Sequence, residues 1–150
     1  MAENVPYPDY QTFVTKARHV GAGLIGTGKP IGEADLDHAL LELVKIRASQ
    51  MNGCAFCLAL HVKRAREAGV TEDQLSLLPV WRDTDVFSLK TRAALDWTEH
   101  LTKMAMGHVP DSAYQAMRRA FNEDEALQLT AAIATINAWN RICGGLRFPV

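Results

Sequence analysis

Asn52-Gly53-Cys54-Ala55-Phe56-Cys57-Leu58-Ala59-Leu60-His61 is the stretch from which the rest of the chain can be read. Asn52-Gly53 breaks one helical pattern, and a second pattern opens at the first cysteine, with Asn52 also able to cap it. At about 100° per residue, Cys54, Cys57 and His61 project from nearly the same face of that second helix. Three readings fit such a face: a redox centre, a metal site, or part of a core.

Upstream, a helix is predicted from about Glu33 to Met51. Leu36, Leu40, Leu43, Val44 and Met51 recur on it at helical spacing and form a core stripe. Glu42 lies off that stripe, on a strip with Ala39, Ile46 and Ser49. Before it, Phe13, Val14, Ala17 and Val20 suggest a first helix from Asp9, ended by Gly21, Gly23 and Gly26. Residues 26–32 then read as a loop. The loop contains Gly26-Thr27-Gly28-Lys29, but no strand precedes it and Lys29 is followed by Pro30, so no phosphate loop is expected. Residues 1–8, with Pro6 and Pro8, read as an extended lead-in.

Downstream, the cysteine helix runs to about Ala68 and Gly69 stops it. Thr71-Glu72-Asp73-Gln74 is a capping box opening a short helix that Pro79 closes. Ser88 caps a helix from about Leu89 to Met104, with Ala93, Ala94, Trp97, Leu101 and Met104 as its apolar side. Asp111 or Ser112 caps another through about Phe121. A second capping box, Asn122 with Glu125, opens a last helix to about Cys143. That helix is apolar nearly all round, which places it at the centre of a bundle, and Gly144-Gly145 ends it. No segment alternates as a strand. The expectation is a single all-α domain over residues 1–150.

Composition narrows the function. A chain of 150 residues suits one core, and 48% hydrophobic with 22% charged residues is globular rather than disordered. A net charge of -1 provides no field for nucleic acid or an anionic membrane. The densest basic cluster, Lys63, Arg64 and Arg66, reads as a solvated helix face. No apolar run reaches the roughly 18 residues of a membrane span, and the N-terminus lacks signal-peptide features, so a cytoplasmic location is expected. Three cysteines are too few for a disulfide scaffold.

Residues three apart on a helix are about 5–6 Å apart, so Cys54 and Cys57 can close a disulfide with modest adjustment. Cys57 and His61 are i,i+4 neighbours. Cys57 is therefore within reach of both partners, whereas the helix dipole favours ionising Cys54. The two effects point to different nucleophiles. Counted from the Asn52-Gly53 turn, Glu42 and His61 differ in depth by only about 3 Å, so Glu42 can accept a hydrogen bond from His61 and raise its basicity. Zinc is awkward: Cys54 and His61 are about 10.5 Å apart along the axis, and His38, His100 or Cys143 would have to complete the site. Cys143 reads as packing, the other histidines as surface residues, and Trp81, Trp97 and Trp139 as core. No metal or cofactor is expected.

The pattern Glu42-x11-Cys54-x2-Cys57-x3-His61 resembles the signature of the carboxymuconolactone decarboxylase superfamily, in its AhpD-like alkylhydroperoxidase branch. Leu41 to Cys54 is similar to that family's lead-in helix. Ala94-Leu95-Asp96-Trp97-Thr98-Glu99 and Leu129-Thr130 are similar to its later helices, and Ile136-Asn137-Ala138-Trp139-Asn140-Arg141 to its closing helix. The likeness covers most of the chain from about residue 33.

The resemblance implies an AhpD-like helical fold, homo-oligomers such as trimers or hexamers, and reduction of organic hydroperoxides. In that scheme Cys57 attacks the peroxide, Cys54 resolves the sulfenic acid, His61 activates the thiol and Glu42 completes the relay. A thiol reductant or a redox partner protein, such as a lipoylated one, would recycle it. One position departs: the best-characterised peroxidases of the family carry a histidine where this chain has Phe56. A phenyl ring cannot pass a proton, so either the relay is shorter or the peroxidase activity weaker, while the ring can shape a pocket for a hydrophobic hydroperoxide. Lactone decarboxylation is not expected, since that branch lacks the cysteine pair. The alternatives are a dithiol–disulfide oxidoreductase and a non-catalytic helical oligomer serving as a redox sensor or metal-binding protein.

Overall fold

Short polar side chains set most of the helix starts. The computed structural model describes residues 5–32 and 35–150. Asp9 caps α1 (Tyr10–Lys16) by accepting from the Thr12 N–H at 2.7 Å. Asp37 caps α3 (His38–Asn52) in the same way through the Ala39 N–H. Both predicted capping boxes form: Thr71 with Gln74 opens α5 (Glu72–Leu77), and Asn122 with Glu125 opens α8 (Glu123–Gly145). Ser88 caps α6 (Leu89–Thr102). Between α5 and α6, Leu78–Asp83 form a 3-10 segment with Pro79 in its first turn.

Several boundaries differ from the sequence reading. Residues 21–32, expected as a helix end and a loop, belong to α2 (Arg18–Gly32). A glycine in a helix costs only about 1 kcal/mol relative to alanine, and packing of α2 along α8 and α1 offsets it. Gly21 is buried there, with Val14 3.5 Å from where its Cβ would stand. α3 begins at His38 rather than Glu33, which lies outside the described residues, as do residues 1–4 of the expected lead-in. Pro110, not Asp111 or Ser112, precedes α7 (Asp111–Ala120); its fixed φ suits that position, and Asp111 instead faces the helix dipole from the first turn. Met104 leaves α6 for a short 3-10 turn and is exposed. α8 continues through Gly144 and Gly145.

The helix at the centre is α3, not α8. α3 buries Leu40, Leu43 and Val44 of its expected stripe and also Glu42, Ile46 and Ser49, leaving Met51 and Ala39 half-buried, and packs against α4 (Ala55–Glu67), α6 and α8. α8 keeps a solvent side, on which Leu127 is 65% exposed. One apolar cluster joins α3 to α6, α7 and α8 around Leu40, Val44, Trp97 and Leu129. Another joins α3 to α4 and the 3-10 segment around Ile46, Leu78 and Trp81. A third gathers Ala48, Ile136 and Phe148 with all three cysteines.

A buried carboxylate ties these layers together. Glu99 on α6 accepts from Trp81 Nε1, Arg47 Nε and Arg82 at 2.7–2.9 Å. Burial alone would push its carboxyl up, but these donors hold it down at about 2. The architecture is all-helical, with no strand among the described residues, and no helix there is long and apolar enough to cross a membrane.

Candidate active site

The turn between α3 and α4 is built by Gly53, whose φ of 65° is left-handed and disfavours a side chain. It lets the Cys54 N–H bond the Ser49 carbonyl at 3.0 Å and folds α4 back along α3. Cys54 thereby becomes the N-cap of α4, and its sulfur accepts from the Cys57 N–H at 3.3 Å. A thiol fills the place usually taken by serine or aspartate. Cys54 is 1% exposed, and burial pushes its thiol up to about 11, with that N–H and Asn140 pulling the other way.

The depth relation expected from the turn is realised. His61 Nδ1 lies 2.7 Å from Glu42 Oε2, and Glu42 Oε1 accepts from Lys45 Nζ at 2.6 Å. Burial pushes the Glu42 carboxyl up, but its bonds to His61 and Lys45 outweigh that and hold it below the usual range. An ionised carboxylate only accepts, so Nδ1 carries the hydrogen and Nε2 is the nitrogen left for a thiol or a substrate.

Cys57 sits in the first turn of α4 and is 2% exposed. It shares with His61 the lining of a cavity of about 550 Å³. The walls are largely apolar: Leu24 and Ile25 from α2, Phe56 and Leu60 from α4, and Ile136 and Trp139 from α8. Phe56, the residue that replaces the relay histidine, stacks on Tyr10 with centroids 5.7 Å apart and meets Phe148 edge-on at the same distance. Its place is in the wall of the cavity. Lys45 and Arg64 give the cavity a basic side.

Cys54 is a polar neighbour of Cys57 as helix spacing predicts, but two further neighbours come from α8. Its thiol is pushed up first by a hydrogen bond with Cys143 that favours the protonated form, and then by burial; Cys54 and Asn140 oppose both. Cys143, read from sequence as packing, is thus a partner of the central thiol. Asn140 was missed altogether. Its Nδ2 donates to Ser49 Oγ at 3.0 Å and its Oδ1 accepts from Asn52 Nδ2 at 3.0 Å, while its amide also favours the ionised form of both CxxC thiols. The available signal was two amides, Asn137 and Asn140, spaced i,i+3 in an otherwise apolar helix. Buried amides need partners, and their partners lie on α3 and α6.

The remaining histidines stay out of the cavity. His100 lies 3.6 Å from Asp96, and His38 lines a neighbouring polar groove with Glu42, Lys45 and Glu67. Among the described residues no group of three or more His, Cys, Asp or Glu is placed to hold a metal ion.

The sequence model of the carboxymuconolactone decarboxylase family matches residues 18–100. The uncharacterised protein YdfG of Bacillus subtilis is 40% identical over 110 residues, 73% of this chain and 75% of that one. The crystal structure of ATU0492 from Agrobacterium tumefaciens superposes with a TM-score of 0.87 at 36% identity, over 92% of this chain and 96% of the other. That protein is of unknown function and provisionally described as an antioxidant defence protein AhpD. The debrominase Bmp8 shares the fold, with a TM-score of 0.79 at 18% identity over 91% of this chain and 74% of its own.

Proposed function

Because the chain belongs to the carboxymuconolactone decarboxylase family, and because it sets a CxxC pair beside a glutamate-bound histidine, we propose that it is a thiol peroxidase reducing organic hydroperoxides. The observation that carries this reading is access. Cys57 and His61 line one apolar cavity, whereas Cys54 is buried behind the first turn of α4. This favours Cys57 as the attacking thiol, despite the dipole argument for Cys54.

The resting Cys57 thiol is protonated, so attack needs a base. His61 Nε2 takes the proton, directly or through a water, and Glu42 stabilises the imidazolium. The Cys57 sulfur attacks the terminal peroxide oxygen and the O–O bond breaks. The leaving alkoxide recovers the proton from His61 as an alcohol, and Cys57 becomes a sulfenic acid. A neighbouring thiol then attacks the Cys57 sulfur, water leaves, and a disulfide remains. Two electrons from an external dithiol close the cycle.

The cavity suits an apolar organic group. Burial of Cys57 at 2% exposure argues against a folded protein disulfide as substrate, and restricts the dithiol–disulfide oxidoreductase reading to small disulfides. The reductant must be equally slender: a small dithiol or a lipoyl arm borne by a partner protein. Assembly into a homo-oligomer belongs to the same proposal. The deciding experiment is consumption of cumene hydroperoxide with a panel of dithiol and lipoylated reductants. Turnover that disappears in Cys57→Ser supports the reading; absence of turnover with every reductant, or full activity in Cys57→Ser, overturns it.

A further inference from the structure

We propose that Cys143 is a second resolving thiol for Cys57, so that the buried cluster works as three thiols rather than two. The inference rests on the peroxidase reading for its oxidant, a hydroperoxide, and on the packing of α4 against α8 for its geometry. Cys143 lies near the end of α8, is 2% exposed, and shares both the apolar cluster and the cavity lining with Cys57. The two helices approach closely at this point: a Cβ on the adjacent Gly144 would stand 3.9 Å from the Cys54 Cβ. The two thiols are also coupled electrostatically, Cys143 being the first cause that raises the Cys57 thiol.

The two candidate resolving thiols are not equivalent. The Cys54 sulfur caps α4 by accepting the Cys57 N–H, and it must turn from that bond to reach the oxidised sulfur. No backbone group among the described residues depends on the Cys143 sulfur. Its side chain approaches Cys57 from a different helix, so a Cys57–Cys143 bond would fasten α4 to α8. In the step, the Cys143 sulfur attacks the Cys57 sulfenic sulfur, the S–O bond breaks, and the thiol hydrogen leaves with the hydroxyl as water. The Cys54 thiolate can then attack Cys57, giving the Cys54–Cys57 disulfide and returning Cys143 as a thiol. No further oxidant is consumed.

The test uses Cys54→Ser, which retains a good N-cap, and Cys54→Ser/Cys143→Ala, each checked for native helicity by circular dichroism. Each is treated with one equivalent of cumene hydroperoxide in the presence of dimedone, and mapped by peptide mass spectrometry. Cys54→Ser is expected to lose two hydrogens and yield a Cys57–Cys143 peptide. The double variant is expected to carry dimedone on Cys57. A dimedone adduct of equal yield in both variants overturns the proposal. If hydroperoxide oxidises Cys57 in neither, the peroxidase reading fails instead. The thiol oxidant diamide then decides the geometry: a Cys57–Cys143 crosslink in Cys54→Ser supports it, and no crosslink overturns it.

Discussion

Glu42 and His61, nineteen residues apart on antiparallel neighbouring helices, are joined by a 2.7 Å contact between a carboxylate oxygen and Nδ1. This contact fixes the ring and leaves Nε2 as its only basic atom. Glu42→Gln keeps the shape of the side chain and removes its charge. Peroxidase kcat is expected to fall by about 10²-fold, with KM changed far less, because the charge matters most when the imidazole holds a proton. Steady-state kinetics with cumene hydroperoxide checks this, and an equal loss in both parameters would count against the relay.

The Cys57 thiol lies above its ordinary range, so its thiolate fraction grows about tenfold per pH unit up to that raised value. Alkylation of Cys57 by iodoacetamide, followed in Cys54→Ser, is expected to accelerate through pH 9 without a plateau. In Cys54→Ser/Cys143→Ala the hydrogen bond that favours the protonated thiol is gone, and the profile should move to lower pH. An unmoved profile would remove Cys143 from the electrostatics of the site.

Asn140 serves Ser49, Asn52 and the two thiols from one amide. Asn140→Ala removes two hydrogen bonds, although Ser49 Oγ keeps the Lys45 carbonyl and Asn52 Nδ2 keeps Asn137 Oδ1, and a loss of about 1–2 kcal/mol in denaturant unfolding is expected. The same change removes a group that stabilises thiolate, so Cys57 should alkylate more slowly at a given pH.

Glu99 has its carboxyl held at about 2, against 4.5 for an unstrained glutamate. A folded-state value below the unfolded one adds stability that is complete above about pH 4.5 and is lost as pH falls towards 2. The contribution at neutral pH is roughly 3 kcal/mol. Glu99→Gln is therefore expected to unfold more easily at pH 7 and to show a shallower acid transition between pH 4.5 and 2. Parallel transitions in variant and parent would show that the Arg47 and Arg82 contacts contribute little.

The sequence by itself determined the helical class, both capping boxes, the break at Asn52-Gly53, and the shared face of Cys57 and His61. These depend on hydrogen bonds and steric preferences acting within about four residues, where side-chain chemistry decides the outcome. It also determined that Glu42 and His61 meet, because a two-residue turn between two regular helices fixes depth by counting. Only the tertiary structure decided that α3 is the central helix, which follows from burial against α4, α6 and α8, and that α2 runs through its glycines, where it lies against α1 and α8. It alone brought Asn140 to Asn52, 88 residues away, and set Cys143 beside Cys57. The amide pair marks a need for partners but not which ones: the contacts arise where α8 crosses the start of α4, and that crossing is settled by the packing of the whole core.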